Sequence, residues 1–134
     1  MTPFDKSLRD VVKPYLENQG YSFNGKRDFS AIVNGQNSVI TFQKGLRGLA
    51  GTFTVNLSVE EKTERLGTIR INSWSIFINK FFGDKESLLK AVFLPKDKWW
   101  KISENQINMN KTMNDVVKMI SDHGLNWIEH NTKS

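Results

Sequence analysis

The sequence predicts an α+β fold, in which an antiparallel sheet of about four to five strands carries N-terminal and C-terminal helices packed on one face. A helical apolar pattern opens the chain, alternating strand patterns follow it, and a second helical pattern closes it. Because the strands follow one another without intervening helices, we expect antiparallel pairing instead of parallel βαβ units. The length of 134 residues fits one domain, residues 1–134.

The first helix is predicted over residues 3–19. Thr2 and Pro3 supply an N-cap and a proline in the first turn. Apolar residues then recur at three- and four-residue spacing, and Gly20 supplies a C-terminal stop. Pro14 lies inside this pattern, so we expect it to kink or open the helix locally.

The strand patterns begin at Tyr21. A hairpin is predicted over residues 27–43, because Asn34 and Gly35 form a strong two-residue turn signal. The next strand alternates between two sets of residues, and we expect one apolar and one wholly polar face. The apolar set is Phe53, Val55, Leu57 and Val59, and the polar set is Thr52, Thr54, Asn56 and Ser58. The charged residues 60–65 are expected to form a loop.

The second half of the chain has weaker patterns. We expect a strand or extended segment over residues 68–78, a short helix over 85–92, and a short strand or aromatic lid over 98–102. A last helix is predicted to begin at Thr112 and to break at Gly124 before residues 125–128.

Composition limits the classes of function. The chain has no cysteine, which excludes disulfides, thiolate metal sites and a cysteine nucleophile. The N-terminal residues show no charged stretch followed by an apolar run, so a cytoplasmic location is expected. No run of apolar residues is long enough to span a bilayer, so no membrane association is expected. The formal net charge of +5 favours a protein partner with an acidic surface, or a nucleic acid.

Catalytic motifs are weak in this sequence. The histidines His123 and His130 have no matching group of acids, and the P-loop-like spacing at 20–26 is followed by Arg27 where serine or threonine is required. We therefore predict a non-enzymatic protein with no metal and no cofactor. An enzyme site assembled from scattered residues is the weakest alternative, and its candidates are Gln43, Asn56, Arg70 and His123.

Three surfaces could bind a partner. The first is the segment around Trp99 and Trp100, whose adjacent side chains point to opposite sides of an extended chain, so that one of them is expected to be exposed. The second is the glycine-containing loop over 45–51, and the third is the polar face of the sheet. The candidate partner-binding residues are Gln43, Lys44, Arg47, Asn56, Lys98, Trp99, Trp100 and Lys101.

Five short motifs occur in order along the chain. They are NQGYSF at 18–23, ITFQK at 40–44, FTVNL at 53–57, DKWW at 97–100 and GLNW at 124–127. With them the chain resembles the bacterial domain of unknown function four-three-zero-four family, DUF4304. The resemblance implies an architecture and carries over no catalytic residue.

The resemblance also implies a kind of function. Similar small domains occur as immunity or accessory proteins beside bacterial toxin genes, which favours a protein-binding module. The alternative is a nucleic-acid-binding protein, in which a basic patch contacts phosphates and an exposed tryptophan stacks on a base. The residues expected to form this patch are Lys44, Arg47, Lys98 and Lys101.

Overall fold

The computed structural model describes residues 1–46, 50–66 and 99–132. The N-terminal helix consists of α1 (Pro3–Ser7), a π-helical turn (Leu8–Val12) and α2 (Lys13–Asn18). The side chain of Thr2 accepts a hydrogen bond from the Asp5 backbone N–H at 3.2 Å. The predicted first helix and its cap are therefore confirmed.

Pro14 is accommodated by the π-helical turn. The Lys13 N–H donates to the carbonyl of Leu8, five residues earlier, instead of to a carbonyl four residues earlier. A proline ring would clash with the carbonyl four residues before it, here that of Asp10, and the wider turn relieves this contact. The helix thus opens locally at Pro14 and continues.

The sheet contains antiparallel strands in the order β1-β2-β3-β4-β5, and β6 also pairs with β4. β5 and β6 lie along the same edge of β4, because Phe53 is opposite Lys44 of β3 on one side and opposite Trp100 of β6 on the other. The strands are β1 (Ser22–Phe23), β2 (Asp28–Val33), β3 (Gln36–Lys44), β4 (Thr52–Val59), β5 (Lys62–Arg65) and β6 (Trp100–Lys101). The predicted α+β class is confirmed.

Two tight turns set the register. Asn34 and Gly35 have φ values of 49° and 78°, so the predicted hairpin is confirmed, with the positive φ values of a type I′ turn. Glu60, with a φ of 52°, turns β4 into β5, and its carboxylate accepts the Asn37 backbone N–H at 2.8 Å. The predicted loop over 60–65 is therefore wrong, since β5 pairs with β4 although its four residues are all polar.

The C-terminal helix consists of α3 (Gln106–Met119), a π-helical turn (Ile120–Gly124) and α4 (Leu125–Thr132). The predicted start at Thr112 is wrong: Asn105 caps the helix, and the Thr112 hydroxyl donates to the Asn108 carbonyl one turn earlier. The predicted break at Gly124 is also wrong. A Cβ added there would lie 3.3 Å from Leu66 Cδ1, so glycine permits a close contact with the end of β5.

Aromatic side chains form the centre of the core, on the helix-facing side of the sheet. We call this set the aromatic row: its consecutive ring centroids are 4.6, 5.9, 6.2 and 5.6 Å apart, and its members are Phe23, Phe29, Phe42, Phe53 and Trp100. Phe4 of α1 contacts the row at Phe53, with 5.0 Å between centroids and the rings edge to face. This contact joins the N-terminal helix to the sheet.

Polar contacts connect the two helices. The Ser7 hydroxyl, which is fully buried, donates to Asn110 Oδ1 at 2.8 Å. Gln106 Nε2 donates to the same oxygen at 2.9 Å and to the Pro3 carbonyl at 3.1 Å. Because these buried polar atoms are hydrogen-bonded, the helices can pack side by side without a desolvation penalty.

The predicted strand over 68–78 and the predicted helix over 85–92 lie outside the described residues. Among the helices that are described, none has the length and the apolar character needed to cross a bilayer.

Phe53→Ala is expected to lower the free energy of unfolding by about 3–5 kcal/mol, because it leaves a cavity in the aromatic row. Urea unfolding followed by far-UV circular dichroism measures the change. The control is Ile32→Ala, since Ile32 is 70% exposed, and its effect should stay within about 0.5 kcal/mol. A loss below about 1 kcal/mol for Phe53→Ala would contradict the central position of this ring.

Tyr21 links pH to stability. Its hydroxyl lies 3.0 Å from Ser38 Oγ within the core. Burial raises the pKa of Tyr21 above its ordinary value of 10.0, and the hydrogen bond with Ser38 opposes this shift. At pH values between the pKa of the unfolded chain and that of the folded chain, the folded chain keeps the phenol proton and the unfolded chain releases it. The buried neutral phenol therefore contributes fully to the free energy of unfolding below pH 10, and its contribution is lost as the pH rises through the folded pKa.

Tyr21→Phe is expected to reduce the slope with which the free energy of unfolding falls between about pH 9 and pH 11. Loss of the hydrogen bond to Ser38 lowers the free energy of unfolding by the same amount at every pH below this range. The comparison therefore uses the slope of the free energy of unfolding against pH. Urea unfolding at a series of pH values gives it, with Tyr15→Phe as the control that removes the other tyrosine. Equal slopes for Tyr21→Phe and the wild type would contradict the raised pKa.

Candidate partner-binding surface

The strands present a second face on the side away from the aromatic row, which we call the polar face. Residues directly opposite one another in an antiparallel pair point to the same side, so the register assigns its members. Across the central strands they are Asp28, Ser30, Ile32, Asn37, Val39, Thr41, Gln43, Thr52, Thr54, Asn56, Ser58, Thr63 and Arg65. This face contains most of the polar side chains of the sheet.

Four side chains from separate elements form a continuous line on this side of the sheet, the polar strip: Gln43, Asn56, Arg65 and Trp99. Asn56 Nδ2 donates to Gln43 Oε1 at 2.7 Å, which links β3 to β4. Asn56 is also directly opposite Arg65 of β5. The Arg65 guanidinium carbon lies 5.1 Å from the centre of the Trp99 ring, a distance typical of a cation–π contact.

A cleft of about 440 Å³ adjoins the polar strip. Its described lining consists of Asn56, Thr63, Glu64 and Arg65. The Asn56 amide, the Thr63 hydroxyl and the Arg65 guanidinium belong to the polar face, whereas Glu64 is opposite the core residue Leu57. An amide and a hydroxyl each supply a hydrogen-bond donor and an acceptor, and the guanidinium adds donors. The cleft is therefore suited to polar recognition of a side chain from a partner.

The predicted binding residues do not form a single patch. Lys44 and Trp100 lie on the helix-facing side of the sheet, because neighbouring residues along a strand point to opposite faces. Lys44 Nζ lies 5.0 Å from the Phe4 ring centre, and Trp100 is only 8% exposed and stacks on Phe53. At positions where we expected a binding surface, Trp100 thus completes the core, and Lys44 covers Phe4 while remaining partly exposed.

The other predicted residues have varied positions. Trp99 is partly exposed, whereas its neighbour Trp100 is buried, so the expectation that one of the pair is accessible is confirmed. Lys101 is exposed and lies opposite Thr52 of β4. Arg47 and Lys98 lie outside the described residues.

The polar face is not uniformly exposed. Thr54 lies on it, next to the predicted binding residues Gln43 and Asn56, but it is fully buried. Gln43, directly opposite Thr54, is exposed. The expected wholly polar face of β4 is therefore found in composition, but its polar residues are not all accessible to a partner.

Arg65 and Thr63 were missed by sequence reasoning because residues 60–65 were predicted to be a loop. The two-residue spacing of Thr63 and Arg65 after the pair Glu60-Glu61 is the signal that could have located them, since a hairpin return strand places such residues on one face. Because residues 60–65 include no apolar residue, the alternation of apolar and polar side chains that normally identifies a strand is absent.

Charge is evenly balanced over the described part of the chain. Residues 1–46, 50–66 and 99–132 contain eleven Lys or Arg and eleven Asp or Glu, against 19 and 14 in the whole sequence. The formal charge of +5 therefore belongs to the remaining residues. Within the described part, no three His, Asp or Glu side chains are grouped as metal ligands.

A family model matches residues 12–130, which is most of the chain and includes the whole polar strip. The chain belongs to the family Domain of unknown function (DUF4304). The resemblance predicted from the five motifs is thus confirmed. No curated protein and no solved structure matches this DUF4304 chain significantly.

The contact between Arg65 and Trp99 is expected to give a coupling energy of about 0.5–1 kcal/mol in a double-mutant cycle of Arg65→Gln with Trp99→Leu. The free energy of unfolding of the four proteins measures it. In the control cycle, Lys62→Gln replaces Arg65→Gln, because Lys62 is on the same strand but opposite Val59, which faces the core. Additivity in both cycles would contradict the stacking contact.

Proposed function

We propose that this DUF4304 chain is a non-enzymatic protein-binding module that contacts its partner through the polar strip. The observation that supports this proposal is the Arg65 guanidinium held over the partly exposed Trp99 ring. Tryptophan and arginine are among the residues that contribute most to protein–protein affinity. Here they lie next to each other at the margin of a polar cleft.

Preorganisation supports a binding role for the strip. Stacking on Trp99 restricts the Arg65 side chain, and the hydrogen bond to Gln43 restricts the Asn56 amide. Side chains that are already ordered lose less conformational entropy when a partner binds. The polar strip can therefore bind a partner specifically even when the contact area is small.

The partner is proposed to present an acidic surface. Arg65 and the exposed Lys101 lie on the same side of the sheet, and a guanidinium matches the geometry of a carboxylate. A partner carboxylate in the cleft could accept hydrogen bonds from Arg65 and from the Thr63 hydroxyl. Such pairing would also fix the orientation of the partner.

Nucleic-acid binding is the second proposal, and the described residues support it less. Lys44, one of the cations expected to contact phosphates, lies on the opposite side of the sheet from Arg65 and Lys101. Arg65 also occupies one face of the Trp99 ring, which leaves less of it for a base. The two proposals differ in their expected dependence on salt.

A more specific proposal concerns the biological setting. We propose a bacterial, cytoplasmic immunity or accessory protein that binds a toxin or another protein. The family resemblance and the absence of cysteine support this setting. The basic net charge argues against mimicry of nucleic acid in a nuclease active site, because such a mimic should be acidic.

Thr63→Glu is expected to abolish recovery of the partner, because it places in the cleft a carboxylate that repels the proposed acidic surface. Thr63 is exposed, so the substitution leaves the core unchanged. Tagged wild-type protein and the variant are used for affinity capture from the source organism, with and without nuclease. Ser30→Glu is the matched control, since Ser30 is an exposed residue on the same face, on β2.

One protein retained by the wild type and by Ser30→Glu, and lost by Thr63→Glu, would support the proposal. Capture that disappears after nuclease treatment, and that weakens steeply between about 50 and 200 mM salt, would favour nucleic-acid binding instead. Equal capture by both variants would contradict docking at the polar strip.

A further inference from the structure

We propose that Arg27 and Lys44 form a binding site for an oxyanion of the phosphate class at the helix-facing end of the sheet. This site lies on the opposite side of the sheet from the polar strip, and it does not depend on the proposed function. The two cationic groups flank one aromatic ring, that of Phe4.

The backbone places the two cations side by side. The Arg27 carbonyl accepts the Phe42 N–H at 2.9 Å, so Arg27 lies opposite Phe42 at the start of β2. Lys44 is two residues beyond Phe42 on β3, and side chains two apart on a strand share a face. The Arg27 guanidinium carbon and Lys44 Nζ lie 5.8 and 5.0 Å from the Phe4 ring centre.

Both cationic side chains contact Phe4 and also reach solvent. The ring is fully buried, and its inner side packs edge to face on Phe53. The Arg27 side chain is 41% exposed, and Lys44 is partly exposed. Each cation is therefore accessible to a small solute.

The local charge is not fully compensated. Asp5 is the acid nearest to Arg27, and its Oδ1 lies 3.7 Å from Arg27 Nη2, which is long for an ion pair. Asp5 Oδ2 also accepts the Thr2 hydroxyl at 3.0 Å. Lys44 makes no ion pair with any acid in the described part of the chain. Among the described residues, Arg27, Lys44 and Asp5 thus leave one net positive charge beside the ring.

Arg27 also has unused hydrogen-bonding capacity. Its Nε is shielded from solvent and has no acceptor among the described residues. An unsatisfied buried donor lowers stability. An anion bound to the guanidinium would offset part of this cost through charge-assisted hydrogen bonds. The Phe4 contacts hold both side chains in place, which lowers the entropy lost on binding.

The chemistry favours a tetrahedral oxyanion. Its oxygens point in several directions, so one molecule can accept hydrogen bonds from the planar guanidinium and from the ammonium together. A single planar carboxylate is already present in Asp5, and of the two cations it pairs only with Arg27. A phosphate group would complete the pair by contacting Lys44 as well.

The experiment is a titration of ¹⁵N-labelled protein followed by NMR, in which sodium chloride is replaced by the probe at constant ionic strength. The probes are inorganic phosphate and O-phosphoserine, which distinguish a free phosphate from one attached to a larger group. The signals are the Arg27 Nε–Hε group and the backbone amides of Phe4 and Asp5. We expect saturable shifts with a Kd on the order of millimolar for at least one probe.

Lys44→Met is expected to weaken this binding by about tenfold or more, because the methionine keeps the packing on Phe4 and removes the charge. Lys118→Met, an exposed change on α3, is the control of equal charge and should retain the shifts. Arg27→Gln is the second variant if Lys44→Met alters the dispersion of the amide signals. Shifts that do not saturate, or saturation that neither variant weakens, would overturn the proposal.

Discussion

The packing of Phe53 is the contact on which the rest of the structure depends. Its ring neighbours Phe42 and Trp100 within the aromatic row and Phe4 from the N-terminal helix, so one side chain joins two strands and a helix. Aromatic side chains bury large apolar areas, and edge-to-face and offset contacts add to this burial. In a chain without disulfides, this packing holds the helices against the sheet.

The two-residue period of the strands then separates structural from accessible side chains. Lys44 and Trp100 point toward the helices, where one lies over Phe4 and the other completes the aromatic row. Their immediate neighbours Gln43 and Trp99 point away from the core and belong to the polar strip. Adjacent residues of similar chemistry therefore have different roles, and the proposed protein-binding and oxyanion-binding sites lie on opposite sides of the same sheet.

Both helices contain a π-helical turn where the sequence predicts an interruption. At Pro14 the turn relieves a steric clash, and at Gly124 it accompanies close packing against Leu66. Sequence rules identify such residues as helix breakers because they describe an isolated helix. Tertiary contacts can compensate for the lost backbone hydrogen bond, so the helix continues through both positions.

By itself, the sequence determined the α+β class, the first helix, the Asn34-Gly35 hairpin and the alternation of β4, because each follows from local periodicity or turn chemistry. It also predicted that Trp99 and Trp100 would differ in exposure. Only the tertiary structure decided that residues 62–65 form a strand, that Thr54 is buried and that Arg65 lies over Trp99. These features depend on contacts between residues distant in sequence, which local patterns do not encode.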